Sequence, residues 1–191
     1  MKKVLVLGGT RFFGRKLVEL LIADGHDVTI VTRGKLANPF GDTVKHIIVD
    51  RRDTNAFSNV FEGQYYDIVY DNICYSPNEA KALCDIFNGK MGKLIFTSTL
   101  ATYDADGKAK SEADFDPYTY SIQMGDTEDF TYGEGKRQAE AVFFKYATCP
   151  VVAVRFPIVM GIDDYTERLY FHVKHVVNEE AIGFVNLDAE M

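Results

Sequence analysis

Tyr132 and Lys136 stand four residues apart in "YGEGK". On a helix that spacing brings a phenol and an ammonium onto one face. A nearby ammonium favours the ionised form of a phenol, so such a pair can give and take a proton near neutral pH. The spacing alone is a weak signal. With 11 tyrosines in the chain, about one such pair is expected by chance, and Tyr170 with Lys174 makes a second copy. Position separates the two. Tyr132 follows the fifth predicted strand and a long polar stretch, on the helix that leads to the sixth strand. Tyr170 lies on a later helix, beyond the reach of a cofactor, and reads as packing.

A second chemical feature is "LGGTRFFG", Leu7 to Gly14. It lies between a short apolar strand and a helix, where a dinucleotide-binding loop would lie. Gly8 and Gly9 allow a tight turn, Gly14 lets the helix pack closely on the sheet, and the helix N-terminus favours a pyrophosphate. Thr10, Phe12 and Phe13 complete the loop. Gly9, Arg11 and Gly14 occupy the three defining positions of G-x-G-x-x-G, and the middle one is arginine. Its Cβ takes up room, while its guanidinium brings positive charge to a phosphate. At the end of the second strand, where an acid would hold the ribose hydroxyls of NAD, the chain reads Thr32, Arg33, Gly34, Lys35. Arg33 and Arg11 could clamp a 2′-phosphate, so NADP is the expected cofactor and NAD the alternative. Asp50, just after the third strand, is a candidate for meeting the adenine.

The elements that must position these residues follow from periodicity. Apolar runs at "VLVL", "HDVTIVTRG", "VKHIIVD", "YDIVYDNICY", "GKLIFTST" and "PVVAVRFPIVMG" read as six strands. "RFFGRKLVELLIADG" places Phe13, Leu17, Leu20 and Leu21 on one helical face and ends at Gly25. "SPNEAKALCDIFNG" begins with Ser76 as N-cap and Pro77 at the first helical position. "YGEGKRQAEAVFFKYA" turns Ala139, Val142, Phe143 and Tyr146 inward, and "DYTERLYFHVKHVVNEE" gives a last helix. A polar, acidic stretch from about Tyr103 to Thr131 lacks periodicity, and such stretches are often functional. Alternating strands and helices predict an α/β fold, a Rossmann-like doubly wound parallel sheet of order 3-2-1-4-5-6 with helices on both faces.

The 191 residues suit one domain with the start of a second. The expected division is a nucleotide-binding domain over 1–160 and, over 161–191, the start of a truncated C-terminal substrate region. The net charge of −7 argues against broad nucleic-acid or anionic-membrane binding. Three scattered cysteines and no C-x-x-C read as reduced thiols in a cytoplasmic protein. No apolar run reaches membrane-spanning length, and the histidines suggest no metal site.

"GGTRFFG", "TSTLATY", "YGEGKRQAE" and "RFPIVMG" occur in an order that resembles the extended short-chain dehydrogenase/reductase superfamily, including the NAD-dependent epimerase/dehydratase family. The arginine-bearing loop looks similar to a divergent branch that includes chloroplast stem-loop-binding proteins. The resemblance implies that Thr99 polarises a substrate oxygen, with Ser98 beside it as the alternative. It implies that Tyr132 exchanges the hydroxyl proton and that Lys136 supports Tyr132 and holds the nicotinamide ribose. Phe156, Pro157 and Val159 would lie near the nicotinamide. The implied activity is that of an oxidoreductase, or of an epimerase or dehydratase, acting on a hydroxyl- or sugar-like small molecule. Dimers packed around the helix bearing the tyrosine are common in that superfamily, which makes a homodimer one expectation. Two other readings stay open: a non-catalytic NADP-binding module, and an RNA-binding protein. The chain departs from the family at the end of the fourth strand, where Asp71, Asn72 and Cys74 replace small residues.

Overall fold

A computed structural model describes residues 1–161 and 163–183. Six parallel strands form one sheet in the order β3-β2-β1-β4-β5-β6, as the alternation of elements predicts. They are β1 (Lys3–Leu7), β2 (Asp27–Thr32), β3 (Lys45–Ile48), β4 (Ile68–Asp71), β5 (Leu94–Thr99) and β6 (Val151–Phe156). The helices are α1 (Phe12–Ala23), α2 (Thr54–Val60), α3 (Pro77–Phe87), α4 (Tyr132–Tyr146) and α5 (Arg168–Val177).

Alternation along β1 divides the core. Val4 and Val6 face α1, joining Val18, Leu21, Val28 and Ile30. Leu5 and Leu7 face the other way and pack with Phe57, Leu83, Phe87, Phe96 and Phe143 from α2, α3, β5 and α4. Helices therefore cover both faces, and this two-sided burial explains why the strands read as nearly continuous apolar runs.

Two expected helix faces shift. In α1 the buried residues are Gly14, Val18 and Leu21, and Leu20 is 55% exposed. Gly14 sets the phase, because a Cβ there would lie 2.4 Å from the Gly8 carbonyl oxygen, so this residue must face the sheet. That orientation brings Val18 in and turns Leu20 out. In α4, Ala139, Val142 and Phe143 are buried as expected, but Tyr146 ends the helix at the surface. Helix α2 is an addition to the sequence reading. Its cap is Asp53, whose carboxylate accepts from the Ala56 N–H at 3.0 Å, and Phe57 and Phe61 bury its apolar side.

The acidic stretch after β5 is held rather than loose. Arg155 of β6 donates to Glu140 of α4, to the Tyr103 hydroxyl and to the Phe115 carbonyl, which fastens the stretch to the sheet. Helix α5 is present as expected, with none of its residues buried. Of the region expected over 161–191, residue 162 and residues 184–191 lie outside the described residues.

Candidate functional site

The strands all point one way, so their C-terminal ends share one edge of the sheet. Leu7 of β1 pairs with Asp71 of β4, and Thr99 of β5 with Phe156 of β6. A cleft of about 940 Å³ opens along this edge. It is lined by the loop after β1, the exits of β2 to β6 and the start of α4.

The loop after β1 is built around close backbone approaches. Gly8 has φ +80°, and a Cβ on it would meet Ile73 at 2.4 Å, so only glycine fits there. The Asn72 side chain donates to the Gly8 carbonyl at 3.2 Å and accepts from the Thr97 hydroxyl at 2.7 Å. That amide ties the loop to β4 and β5. Phe12 opens α1 at φ +46°, an uncommon conformation for a bulky residue and a sign of strain concentrated in the loop. Arg11, the N-cap, adds no side-chain capping bond, and its guanidinium lies 5.1 Å from the Tyr165 ring.

Most of the residues singled out from sequence come together in this cleft. Gly8, Thr10, Arg11, Phe12, Phe13, Gly14, Arg33, Asp50, Ser98, Thr99, Tyr132, Lys136, Phe156, Pro157 and Val159 all line it. Gly9 does not. It faces inward, where a Cβ would press on Val18 at 2.8 Å and Ile30 at 3.1 Å. Asp50 accepts from the Arg52 N–H at 3.0 Å, which shapes the turn after β3.

Thr99 and Ser98 differ sharply. The Ser98 hydroxyl is buried and donates to Glu140, so it belongs to the Glu140–Arg155 network. Thr99 alternates to the opposite side, its hydroxyl accepts from the nearby Ala101 N–H at 3.2 Å, and it stands at the cleft.

Two glycines set Tyr132 and Lys136. Glycine inside a helix costs about 1 kcal/mol relative to alanine, so "YGEGK" needs a packing reason. A Cβ on Gly133 would come 2.6 Å from the Ala101 carbonyl oxygen, and one on Gly135 2.5 Å from that of Tyr75. The first turn of α4 thus presses directly on the exits of β5 and β4. Tyr132, at the first helical position, is 57% exposed, whereas Lys136 is 2% exposed. The Lys136 ammonium donates to the Cys74 carbonyl at 2.7 Å and the Thr97 carbonyl at 2.9 Å, which leaves one of its three N–H groups for the cleft. Burial pushes its pKa down, against the pull of Cys74 and Asp71.

Sequence reasoning missed three features here. Arg51 forms a two-bonded buried pair with Asp71. Its pKa is raised: burial opposes that rise most strongly, and the charge and hydrogen bonds of Asp71 together with Cys74 and Glu79 outweigh it. Tyr75 sets its ring beside Lys136. Lys35 and Arg52 add positive charge to the same wall. The acid at the end of β4 was the available signal for the ion pair; nothing in the spacing marks Arg51 as its partner. Cys74 is fully buried and its thiol pKa is pushed up by that burial, which removes it from nucleophilic chemistry.

Comparison with known proteins fits this geometry. Residues 4–75, from β1 to the exit of β4, match one family model. That model describes the NAD dependent epimerase/dehydratase family. Two curated relatives extend the likeness. One is the chloroplast stem-loop binding protein of 41 kDa b from Arabidopsis thaliana, 30% identical, with the match covering 53% of this chain and 30% of that protein. The other is a UDP-glucose 4-epimerase from Neisseria meningitidis serogroup C, 26% identical over 74% of this chain and 47% of that protein. The chain thus spans less than half the length of either. Among solved structures, the Bordetella bronchiseptica enzyme WbmG in complex with NAD and UDP shares the fold at TM-score 0.70 and 15% identity, over 95% of this chain and 61% of that one. A crystal structure of a UDP-glucose 4-epimerase gives TM-score 0.71 and 19% identity, over 97% and 65% of the two chains.

Arg11 and the Arg51–Asp71 pair both lie within the residues that the family model matches. No helix among the described residues is long and apolar enough to cross a membrane.

Proposed function

We propose that this chain carries the nucleotide-binding and proton-transfer half of an NADP-dependent epimerase, dehydratase or oxidoreductase that acts on a hydroxyl-bearing, nucleotide-sugar-like substrate. The observation that carries the reading is the sharing of one cleft by the Gly8–Gly14 loop, Thr99, Tyr132 and Lys136. Its relatives include a UDP-glucose 4-epimerase, and structures of its fold hold NAD with UDP or UDP-glucose.

The residues present fit a dinucleotide. Gly8 and Gly14 let the loop fold tightly against Ile73 and the start of α1, and that helix start lines the cleft, where its N–H groups would meet a phosphate. Arg11 supplies charge for the pyrophosphate. Arg33 and Lys35, at the exit of β2, would hold a 2′-phosphate and favour NADP over NAD, while Asp50 lies toward the adenine end. Lys136 would give its remaining N–H to the nicotinamide ribose, and Phe156, Pro157 and Val159 would wall the nicotinamide. The bound cofactor supplies hydride exchange.

The protein's own chemistry is proton management. Thr99 donates to the substrate oxygen and orients it. Tyr132, placed at the start of α4 by Gly133 and Gly135, takes the hydroxyl proton or returns it. Lys136, held by two carbonyls, keeps its ammonium 6.0 Å from the centre of the Tyr132 ring.

Calorimetric titration with NADP(H) and NAD(H), beside an Arg11→Gly variant, tests the cofactor half. Submillimolar NADP binding that weakens in the variant, with little change for NAD, is expected. Absence of binding by either dinucleotide would overturn the reading. Tyr132→Phe tests the chemical half and should bind NADP normally while losing turnover of nucleotide sugars.

The stem-loop binding relative favours a second reading, RNA binding. The cleft's cations are gathered in one concavity rather than along a stripe, so gel-shift titration over a salt series should show no salt-sensitive complex.

A further inference from the structure

Tyr75 lies just beyond β4, outside the set of residues that the proposed chemistry uses. Its backbone is fixed from two sides: its N–H donates to Glu79 at 2.8 Å, and its carbonyl oxygen sits where a Cβ on Gly135 would come within 2.5 Å. Its ring reaches the cleft. The Lys136 ammonium is 4.6 Å from that ring's centroid and 4.7 Å from that of Phe96, closer than the 6.0 Å to the Tyr132 ring. The Tyr75 and Tyr132 rings are 6.3 Å apart. Tyr75 therefore touches both members of the pair and is placed by the helix that carries them.

We propose that Tyr75 is a positioning residue for the Tyr132–Lys136 pair: its ring face holds the buried ammonium and abuts the Tyr132 ring, so the pair keeps its arrangement only while an aromatic ring stands at position 75. The argument is one of solvation. A buried ammonium with two carbonyl acceptors still lacks most of its hydration, and an aromatic face is among the few apolar surfaces that attract a cation. The pKa of the Tyr75 phenol is pushed up to about 12, first by burial and then by the neighbouring Tyr165 and Tyr132. It stays neutral across the working range and brings no competing charge. The other groups that bear on Lys136 are Cys74 and Asp71 of β4 and its exit, Arg51 after β3 and Glu79 of α3. None of them changes when only the ring at 75 is altered.

This inference rests on the proposed roles of Tyr132 and Lys136, yet its first test is independent of turnover. Selective 13C labelling of lysine and NMR titration read the midpoint of Lys136, assigned with Lys136→Met. In Tyr75→Leu, which keeps an apolar side chain but loses the π face, the midpoint should fall by about half a unit, a roughly threefold lower ammonium-to-amine ratio at fixed pH. Tyr75→Phe keeps the face and should restore the wild-type midpoint. The near-UV circular dichroism of both variants establishes that they are folded. An unchanged midpoint in Tyr75→Leu, or an equal fall in Tyr75→Phe, would overturn the proposal. Turnover, once a substrate is found, should fall in kcat more than rise in KM for Tyr75→Leu and recover in Tyr75→Phe. A midpoint shift with no turnover from any nucleotide sugar would instead sink the enzymatic reading while leaving the Tyr75–Lys136 contact standing.

Discussion

Arg51 and Asp71 meet through two parallel hydrogen bonds of 2.8 and 3.0 Å, with the carboxylate fully buried and the guanidinium nearly so. The arginine follows β3 and the aspartate ends β4, so the pair joins two strands that β1 and β2 separate in the sheet. Arg51 also donates to the Glu79 carbonyl at 3.1 Å. Removing one partner strands the other charge in the core. Arg51→Met or Asp71→Leu should each lower unfolding stability by about 3–5 kcal/mol. The double replacement Arg51→Met with Asp71→Leu should recover much of that loss, because neither charge is then left alone. Urea denaturation of the four proteins measures the cycle, and additive losses would contradict a coupled pair.

Gly135 offers a test of how α4 is seated. On helix propensity alone Gly135→Ala would stabilise by about 1 kcal/mol. The new Cβ, however, would meet a backbone oxygen at 2.5 Å, and backbone yields little. The expected outcome is a net loss of about 1–3 kcal/mol, seen as a lower thermal midpoint, together with impaired turnover as Tyr132 is displaced. Gly133→Ala should behave alike against Ala101. A more stable alanine variant would show that the helix start is free to move.

The sheet order and six strands were legible because both faces of the sheet are covered: buried parallel strands leave uninterrupted apolar runs, and Gly8, Gly25 and Ser76 punctuate them. What the sequence left hidden depends on contacts between distant segments. Helix α2 is too short for its period to stand out, although Asp53 and the Phe57/Phe61 spacing were signals. The phase of α1 was misjudged because Leu20 is as apolar as Val18, and only the approach of Gly14 to the Gly8 carbonyl decides between them. At the site, Thr99 and Ser98 are adjacent hydroxyls that composition cannot rank. The partnership of Ser98 with Glu140, 42 residues away, ranks them in space.

That ranking predicts different phenotypes. Ser98→Ala removes a buried hydroxyl from the Glu140–Arg155 network and should cost about 1–3 kcal/mol of stability with modest change in turnover. Thr99→Ala loses one peripheral capping bond, worth under about 1 kcal/mol. On the proposed mechanism it should lower kcat by about 100-fold, the scale seen when a donor to a reacting oxygen is removed. Denaturation and kinetics on the same two preparations separate the roles, and a reversed pattern would move the polarising hydroxyl to Ser98.

The buried thiols predict how the fold responds to alkali. Cys84 and Cys74 are fully buried; burial pushes the Cys84 pKa up to about 12 and that of Cys74 up as well. Below the unfolded value, about 8.5, both thiols are protonated in both states and add no pH dependence. As pH rises past it, the unfolded chain releases protons that the folded chain retains, so stability falls. Each thiol should contribute a slope of about 1 kcal/mol per pH unit between roughly pH 9 and 10. Urea unfolding at several pH values checks this, and Cys84→Ala should flatten the slope by one thiol's share. Iodoacetamide treatment of the native protein at pH 8 should accordingly leave both residues unmodified by mass spectrometry until urea is added. Rapid native labelling of Cys84 would mean that α3 opens without global unfolding.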